Sequence, residues 1–452
     1  MAESELLTRS ACREIFARVQ DAARAAGAPE VEAMIGAGAN ALTRFANNAI
    51  HQNVAERRLF LSVRTQMDRR TARATTNRFD DASIRAVVEE AAALTRAQQP
   101  DPDLPPLAEP ADIDEVDRFC PSTAAATPQD RAEAVAEAID IVRQEGQTAA
   151  GIYATNQSVE AILNSRGVFA YYFDTLAQFS ITAMARDSSG WAKASAPECD
   201  ALDIPGLARR AARKARLSAG PRELAPGRWT VILEPSAVQD LLGQMFWDFS
   251  ATAIRDQRSF LTSRLGTKLF GAGIQIADDA YHPMQSGPPF DGEGVPRRRL
   301  ALVENGIARE VAYSRKEAQR ANTAPTGHGF PLPNEIGEAP MNIVVEGGSE
   351  PLETIIGSTK RGILVTRLWY IREVDPYEKI MTGMTRDGTF LIEDGRPVCG
   401  IRNFRFNQSL IELLNNVEAL SPAERASGEE AFDMVGPAMK ARDFNFTEVT
   451  RF

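Results

Sequence analysis

Residues 99 to 110, QPDPDLPPLAEP, carry five prolines and so can be neither helix nor central strand. The segment divides everything before it from everything after, which makes it a linker and forces the chain to fold as more than one unit. A length of 452 residues agrees, because a single hydrophobic core seldom organises so long a chain. With 44% hydrophobic and 25% charged residues the composition is that of a folded globular protein.

On this basis the chain divides into an α+β segment at 1–98, the proline-rich linker at 99–125, a second α+β segment at 126–225 and a mostly β unit at 226–452. The first begins with helical spacing over 5–26 (Leu6, Ala11, Ile15, Val19, Ala22, Ala26), stopped by Gly27 and Pro29. Alternation in TRFANNAIHQNVAERRLFLSVRTQ predicts strands, and FDDASIRAVVEEAAALTRAQ a helix capped by Asp80 or Asp81. The second has a helix at about 128–146, β-prone runs GIYATNQSVEAILNSRG, VFAYYFDTLAQFSITAMARD and SSGWAKAS, and a basic helix near 205–218. After PGRWTVILEP, glycines and β-branched runs dominate. The fold class expected is therefore α+β.

The formal net charge is -10, and the one dense basic run, LARRAARKARL at 207–217, has apolar residues at helical spacing. A solvated helix face explains it, so nucleic-acid binding is not expected. No run of about 18 or more apolar residues occurs, and the acidic N-terminus has no long apolar region, so neither membrane insertion nor export is expected. Cys12, Cys120, Cys199 and Cys399 are far apart with no CxxC pair, as befits free thiols in a reducing cytoplasm.

His51, His282 and His328 are the only histidines, and their spacing offers no local metal-ligand pattern. His328 lies in a Gly-flanked loop, TGHGF, where contact with a substrate or partner is expected. Arg367, Trp369 and Tyr370 crowd one strand, and Thr382, Thr385, Arg386 and Asp387 follow on a turn into the next strand. A hairpin alone explains Asp387-Gly388, yet exposed backbone beside polar and aromatic anchors would also suit a peptide added as a strand. In FDGEGVP, Asp291 and Glu293 supply too few oxygens for a calcium cage, so a structural turn is expected.

Five phrases together are more specific: TRFANNAIHQ at 43–52, NSRGVFAYYFDT at 164–175, FDGEGVPRRR at 290–299, PTGHGF at 325–330, and GILVTRLWYIREVDPYEKIMTGMTRDGTFLIEDGRPV at 362–398. In this order they resemble the TldD/PmbA family of peptidases, historically called modulators of DNA gyrase, over nearly the full length. The resemblance implies cytoplasmic proteins that work in pairs, a TldD-type subunit carrying zinc and a TldE/PmbA-type subunit sharing the fold without the metal. Catalytic members bear HExxxH on a helix after the strand that opens the last domain, with a cysteine near the C-terminus. Here WTVILEP is that strand and SAVQDLLGQMFWDF that helix, which places Gly243 at the first histidine, Gln244 at the glutamate and Asp248 at the second histidine. Glycine has no ligand atom, glutamine is no base and a lone aspartate holds zinc poorly. No cysteine follows Cys399.

The chain thus resembles the non-metal subunit: no catalytic residue and no metal or cofactor on this chain, zinc expected on the partner, and Gln244 and Asp248 as packing and capping groups. The partners expected are a TldD-type catalytic subunit, or a second copy when isolated, and a peptide substrate docking near His328, Arg367, Trp369, Tyr370, Thr382, Thr385, Arg386 and Asp387. Two other functions stay open, a stand-alone hydrolase with a rebuilt site and a non-proteolytic binding or regulatory protein.

Overall fold

The computed structural model describes residues 6–450. The start of the helix expected from residue 5, and the acidic terminus before it, lie outside the described residues. The chain runs α1 (Arg9–Ala25), β1 (Glu30–Ala46), β2 (Ala49–Met67), β3 (Arg70–Thr76), α2 (Asp81–Ala97), α3 (Pro121–Ala125), α4 (Pro128–Gln144), β4 (Thr148–Asn164), β5 (Phe169–Met184), β6 (Ser189–Ala196) and α5 (Ile204–Leu217). Asp80 begins α2 as the sequence suggests, accepting from the Ser83 amide, and a capping box of Thr127 with Asp130 begins α4.

The two α+β segments share one sheet. Six antiparallel strands lie in the order β3-β2-β1-β4-β5-β6, and β1 joins the segments by pairing with β4 from Glu32–Asn164 to Phe45–Gly151. Sequence reading treats the segments as separate because each has its own helices and turns. What it lacks is the pairing of 17-residue strands across the linker. All four long helices cover one face of this sheet. Val31, Ala33, Ile35 and Ala37 of β1 pack under α1 and α2, and Phe45 at the other end packs with α4 and α5.

The remaining elements are β7 (Gly227–Leu233), α6 (Pro235–Leu242), α7 (Ala251–Arg255), β8 (Ile276–Asp278), β9 (Leu300–Glu304), β10 (Ile307–Ala308), α8 (Arg315–Arg320), β11 (Ile343–Val345), α9 (Leu352–Gly357), β12 (Arg361–Asp375), β13 (Ile380–Glu393), β14 (Arg396–Gly400), β15 (Phe404–Ser409), α10 (Leu410–Asn415), β16 (Val417–Leu420), β17 (Glu424–Ala426), β18 (Met434–Gly436) and β19 (Met439–Val449). They form two sheets, β10-β9-β8-β11-β18-β17 and β12-β7-β19-β15-β13-β14, with β16 paired to β19. The largest core lies between them, with Leu241, Phe246, Phe249, Phe260, Ile343, Leu368 and Phe406 all buried. The mostly β texture read from 226 onward is what the fold shows, and the overall class is α+β.

Two local expectations need correction. The helix read through Phe249 is α-helical only to Leu242, and Gly243–Asp248 continues as tighter 3-10 turns. Glycine at 243 weakens the helix at the point where the winding changes. Asp387-Gly388 is not a hairpin turn. It sits inside β13, where the pairing with β12 slips opposite Val365 and Arg367, with φ of 51° and 134°. The positive angles that suit Asp-Gly to a turn suit it equally to a bulge. No helix among the described residues is long and apolar enough to cross a membrane.

Candidate functional site

The strand β7 delivers the chain to Glu234, and Pro235 at the first helical position starts α6. The helix is buried around its whole circumference. Its apolar residues Val238, Leu241 and Leu242 belong to the core, while Gln239 and Asp240 are polar and 0% exposed. Buried polar groups demand partners, and these are found on one extended segment, Ser427–Asp433 (SGEEAFD).

The side chains of α6 and its 3-10 extension read that segment's main chain. Ser236 Oγ donates to the Ser427 carbonyl at 3.0 Å. Asp240 Oδ1 accepts the amides of Glu429 and Glu430, both at 2.8 Å. Gln239 Nε2 donates to the carbonyls of Ala431 and Phe432 at 2.7 and 2.8 Å, and Gln244 Nε2 to the Glu430 carbonyl at 3.0 Å. The N-terminal sheet closes the other side: Ser195 Oγ donates to Asp433 Oδ2 at 2.6 Å, and Lys193 donates to the Gly428 carbonyl. Glu430 reaches onward to β12, where its carboxylate accepts the amides of Tyr370 and Ile371 at 2.9 and 3.1 Å.

Each position equated with the zinc motif is already engaged, two of them by this segment. A Cβ on Gly243 would overlap the Ala431 Cβ, so no side chain fits there. Gln244 is a tether for the segment and is not free to face a ligand. Asp248 is neither a packing nor a capping group: its buried carboxylate pairs with the Lys379 ammonium and accepts the Phe260 amide at 3.1 Å. Burial raises the Asp248 pKa, and the Lys379 charge pulls it back. Burial likewise raises Asp240 to about 6, against two amide hydrogen bonds that lower it, and Asp240 Oδ2 has no partner.

This donor set does not fit a zinc ion. Zinc takes thiolate, imidazole or carboxylate ligands, and here one position has no side chain, one is an amide and the third is neutralised by lysine. The segment lying over α6 contains no cysteine. Among the described residues no group of three or more His, Cys, Asp or Glu is placed to hold a metal.

The residues singled out for a peptide cleft separate into groups. Arg367, Trp369, Arg386 and Asp387 come together. Arg367 Nε binds Asp387 Oδ2 at 3.0 Å, and its guanidinium lies over the Trp191 and Trp369 rings at 4.9 and 5.6 Å. Arg386 stacks over Trp369 at 4.7 Å, and Ser189 Oγ donates to Asp387 Oδ1 at 2.6 Å. Tyr370 stands apart on the bulge, 52% exposed at φ 56° under the Arg372 guanidinium. Thr382 is half-buried in the ladder between β12 and β15. Thr385 is buried, donating to Asn403 Oδ1 and accepting the Phe404 amide.

His328 corrects the expectation of an exposed contact. Its side chain is 0% exposed, held by Thr326 Oγ1 at 2.9 Å and Asp278 Oδ1 at 3.0 Å. The Gly-flanked loop folds inward because both flanking glycines meet neighbours, Gly327 the Pro296 backbone and Gly329 the Glu293 carboxyl. FDGEGVP is a structural turn: Asp291 accepts the amides of Glu293, Val295 and Gly329. Burial, reinforced by the Asp291 charge, raises Glu293 to about 8.

Sequence reasoning missed Gln239, Asp240 and Ser427–Asp433. The signal was present as an adjacent Gln-Asp pair within the apolar run AVQDLL, since such a pair in a buried helix must be satisfied by something.

Models of one family match two stretches: the PmbA/TldA metallopeptidase central domain at 121–219 and its C-terminal domain at 226–448. A metalloprotease of Methanothermobacter thermautotrophicus is 25% identical over 292 residues, covering 59% of this chain and 61% of the relative. The metalloprotease PmbA of Escherichia coli O157:H7 is 23% identical over 302 residues, 63% of this chain and 64% of that protein. These matches span under two thirds of either relative. The crystal structure of TldE from Thermococcus kodakarensis superposes with a TM-score of 0.87 at 22% identity, over 95% of this chain and 100% of that one, which establishes the likeness in fold. Family models over both the central and the last domain, with relatives of the same kind, place this chain in the TldD/PmbA family.

Proposed function

We propose that this chain is a non-catalytic, TldE/PmbA-like subunit of a heterodimeric zinc metallopeptidase, shaping the cleft through which unfolded or small peptides reach a TldD-type partner. The observation that carries the reading is the seal over α6. Ser427–Asp433 fills the space beside Gly243, and Gln239 Nε2 and Asp240 Oδ1 are spent on that segment's backbone. A helix so occupied offers no position for a metal-bound water. The role left to the chain is positional: a rigid wall that admits extended chains and excludes folded ones, while the partner supplies zinc and an activated water. The cytoplasm is the compartment that suits its four free cysteines.

The test is to express the chain alone and together with an HExxxH-bearing TldD-type protein, then measure zinc content and cleavage of an unstructured casein fragment. Zinc and cleavage confined to the mixture support the proposal. Cleavage by this chain alone overturns it in favour of a stand-alone hydrolase. A stable complex without cleavage overturns it in favour of a binding or regulatory protein.

A further inference from the structure

The basic run at 207–217 folds into α5, where Arg210, Arg213 and Lys214 stand at the i, i+3 and i+4 positions of one helix face. That face borders a groove of about 640 Å3, which also takes in Glu234 and Pro235 at the start of α6, Glu353 of α9 and Glu424 of β17. A volume of this order is that of a small-molecule site. Leu364 and Phe390 stand opposite each other on β12 and β13, and with half-buried Leu217, Leu352 and Ile356 they make an apolar floor.

The charges around that floor are unevenly matched. Lys214 Nζ is satisfied by Glu234 Oε2 at 2.6 Å. Burial holds the Lys214 ammonium below its ordinary pKa, Glu234 opposes this, and the guanidinium charges of Arg210 and Arg213 add to it. Among the described residues the side chains of Arg210 and Arg213 make no ion pair or hydrogen bond, and neither do the carboxylates of Glu353 and Glu424. Glu424 feels the charges of Arg210, Glu234 and Glu353, yet no cation touches it. One wall therefore holds crowded cations and the other crowded carboxylates, with open space between them.

We propose that this groove binds a short peptide of apolar residues with both termini free, its carboxylate on Arg210 and Arg213, its ammonium at Glu353 and Glu424, and its side chains over Leu364 and Phe390. A guanidinium fork matches a carboxylate, and an ammonium, with three donors and no acceptor, matches carboxylate oxygens. A ligand with a single charge fits less well. An acid leaves Glu353 and Glu424 uncompensated, and an amine leaves Arg210 and Arg213 so. Because both ends are held in one groove, a long chain is excluded, and the ligand is of the size that peptide hydrolysis releases. The site rests on the groove alone, whether or not the chain has a catalytic partner.

Titration calorimetry of the full chain with the tripeptide Leu-Ala-Leu should give a saturable heat. Acetylating its N-terminus or amidating its C-terminus should each weaken binding by about tenfold or more. Arg210→Gln combined with Arg213→Gln, at exposed positions, should weaken the free tripeptide to the same extent and no longer distinguish it from the amide. Glu353→Gln combined with Glu424→Gln should likewise no longer distinguish it from the acetylated form. No heat from Leu-Ala-Leu at millimolar concentration overturns the proposal. So does binding that neither cap weakens, or that both double variants leave unchanged. Leucine binding as tightly as the tripeptide overturns it in favour of a free amino acid. Casein cleavage by the mixture with a TldD-type protein reads the functional proposal independently of these outcomes.

Discussion

The roof over α6 and the edge of β2 treat main-chain groups in opposite ways. Over α6, the backbone of Ser427–Asp433 is read atom by atom by Ser236, Gln239, Asp240, Gln244 and Lys193. Along the edge, seven residues from Val54 to Phe60 present a backbone row that no strand among the described residues reads. Removing the segment from α6 would leave several buried polar groups unsatisfied, each costing about 1–3 kcal/mol. Covering the edge leaves nothing unsatisfied. The helix α6 is therefore held in place by its own buried hydrogen bonds, whereas the edge of β2 keeps an outer backbone row open among the described residues.

The sharpest way to break this contrast is at Asp248. If the position is architectural, Asp248→Ala strands the Lys379 ammonium, 5% exposed, with only the partly exposed Glu373 for compensation. Loss of one partner from a buried ion pair costs roughly 3–5 kcal/mol, and urea denaturation should show a fall of about 3 kcal/mol. Replacing both residues together, Asp248→Leu with Lys379→Met, should recover most of it. A neutral single variant would mean that the pair supports nothing.

Asp240 gives the next largest effect, and it is a pH effect. Its folded pKa is raised to about 6 by burial, whereas an unfolded aspartate titrates near 3.9. Between those values the folded state holds the proton more tightly, so stability falls as pH rises through that window and is level above it. The span corresponds to roughly 2–3 kcal/mol. Asp240→Asn keeps an oxygen for the Glu429 and Glu430 amides and cannot ionise. The gap between wild type and variant should therefore shift by that amount, in favour of the variant, between pH 4 and pH 7. A parallel pair of pH profiles would show that the roof is open enough to hydrate the carboxylate.

The sequence made the helices and the long strands legible, because each depends on local periodicity or on a few residue identities. Asp80 begins a helix where its chemistry says it should, whereas Pro235, read as the end of a strand, is the first residue of α6. What lay hidden depends on distance along the chain. The pairing of β1 with β4 spans the proline-rich linker, and Gln239 meets Ala431 across 192 positions. His328 misled for a similar reason. A Gly-flanked histidine looks free until Asp278, 50 residues earlier, is seen to hold it. Asp387-Gly388 showed that positive-φ residues mark a departure from regular backbone without saying whether it is a turn or a bulge.

Gly243→His puts the comparison to its most direct trial, because it adds an imidazole, at the position that the resemblance equates with the family's first histidine, to a place already filled by Ala431. Overpacking of this kind costs about 1–3 kcal/mol, and thermal unfolding should report a loss near 2 kcal/mol. Ala431→Gly removes the atom in the way, so the double variant should regain about half, a coupling that a double-mutant cycle measures. If the histidine is accommodated at no cost, the segment yields readily and the roof is a movable cover. The edge supplies the opposite limit: Val54→Glu, at an exposed position of β2 opposite Leu42, should change the stability of the folded chain by no more than about 0.5 kcal/mol. A glutamate that unfolds the chain at 54 while a histidine is tolerated at 243 would exchange the roles of the two surfaces.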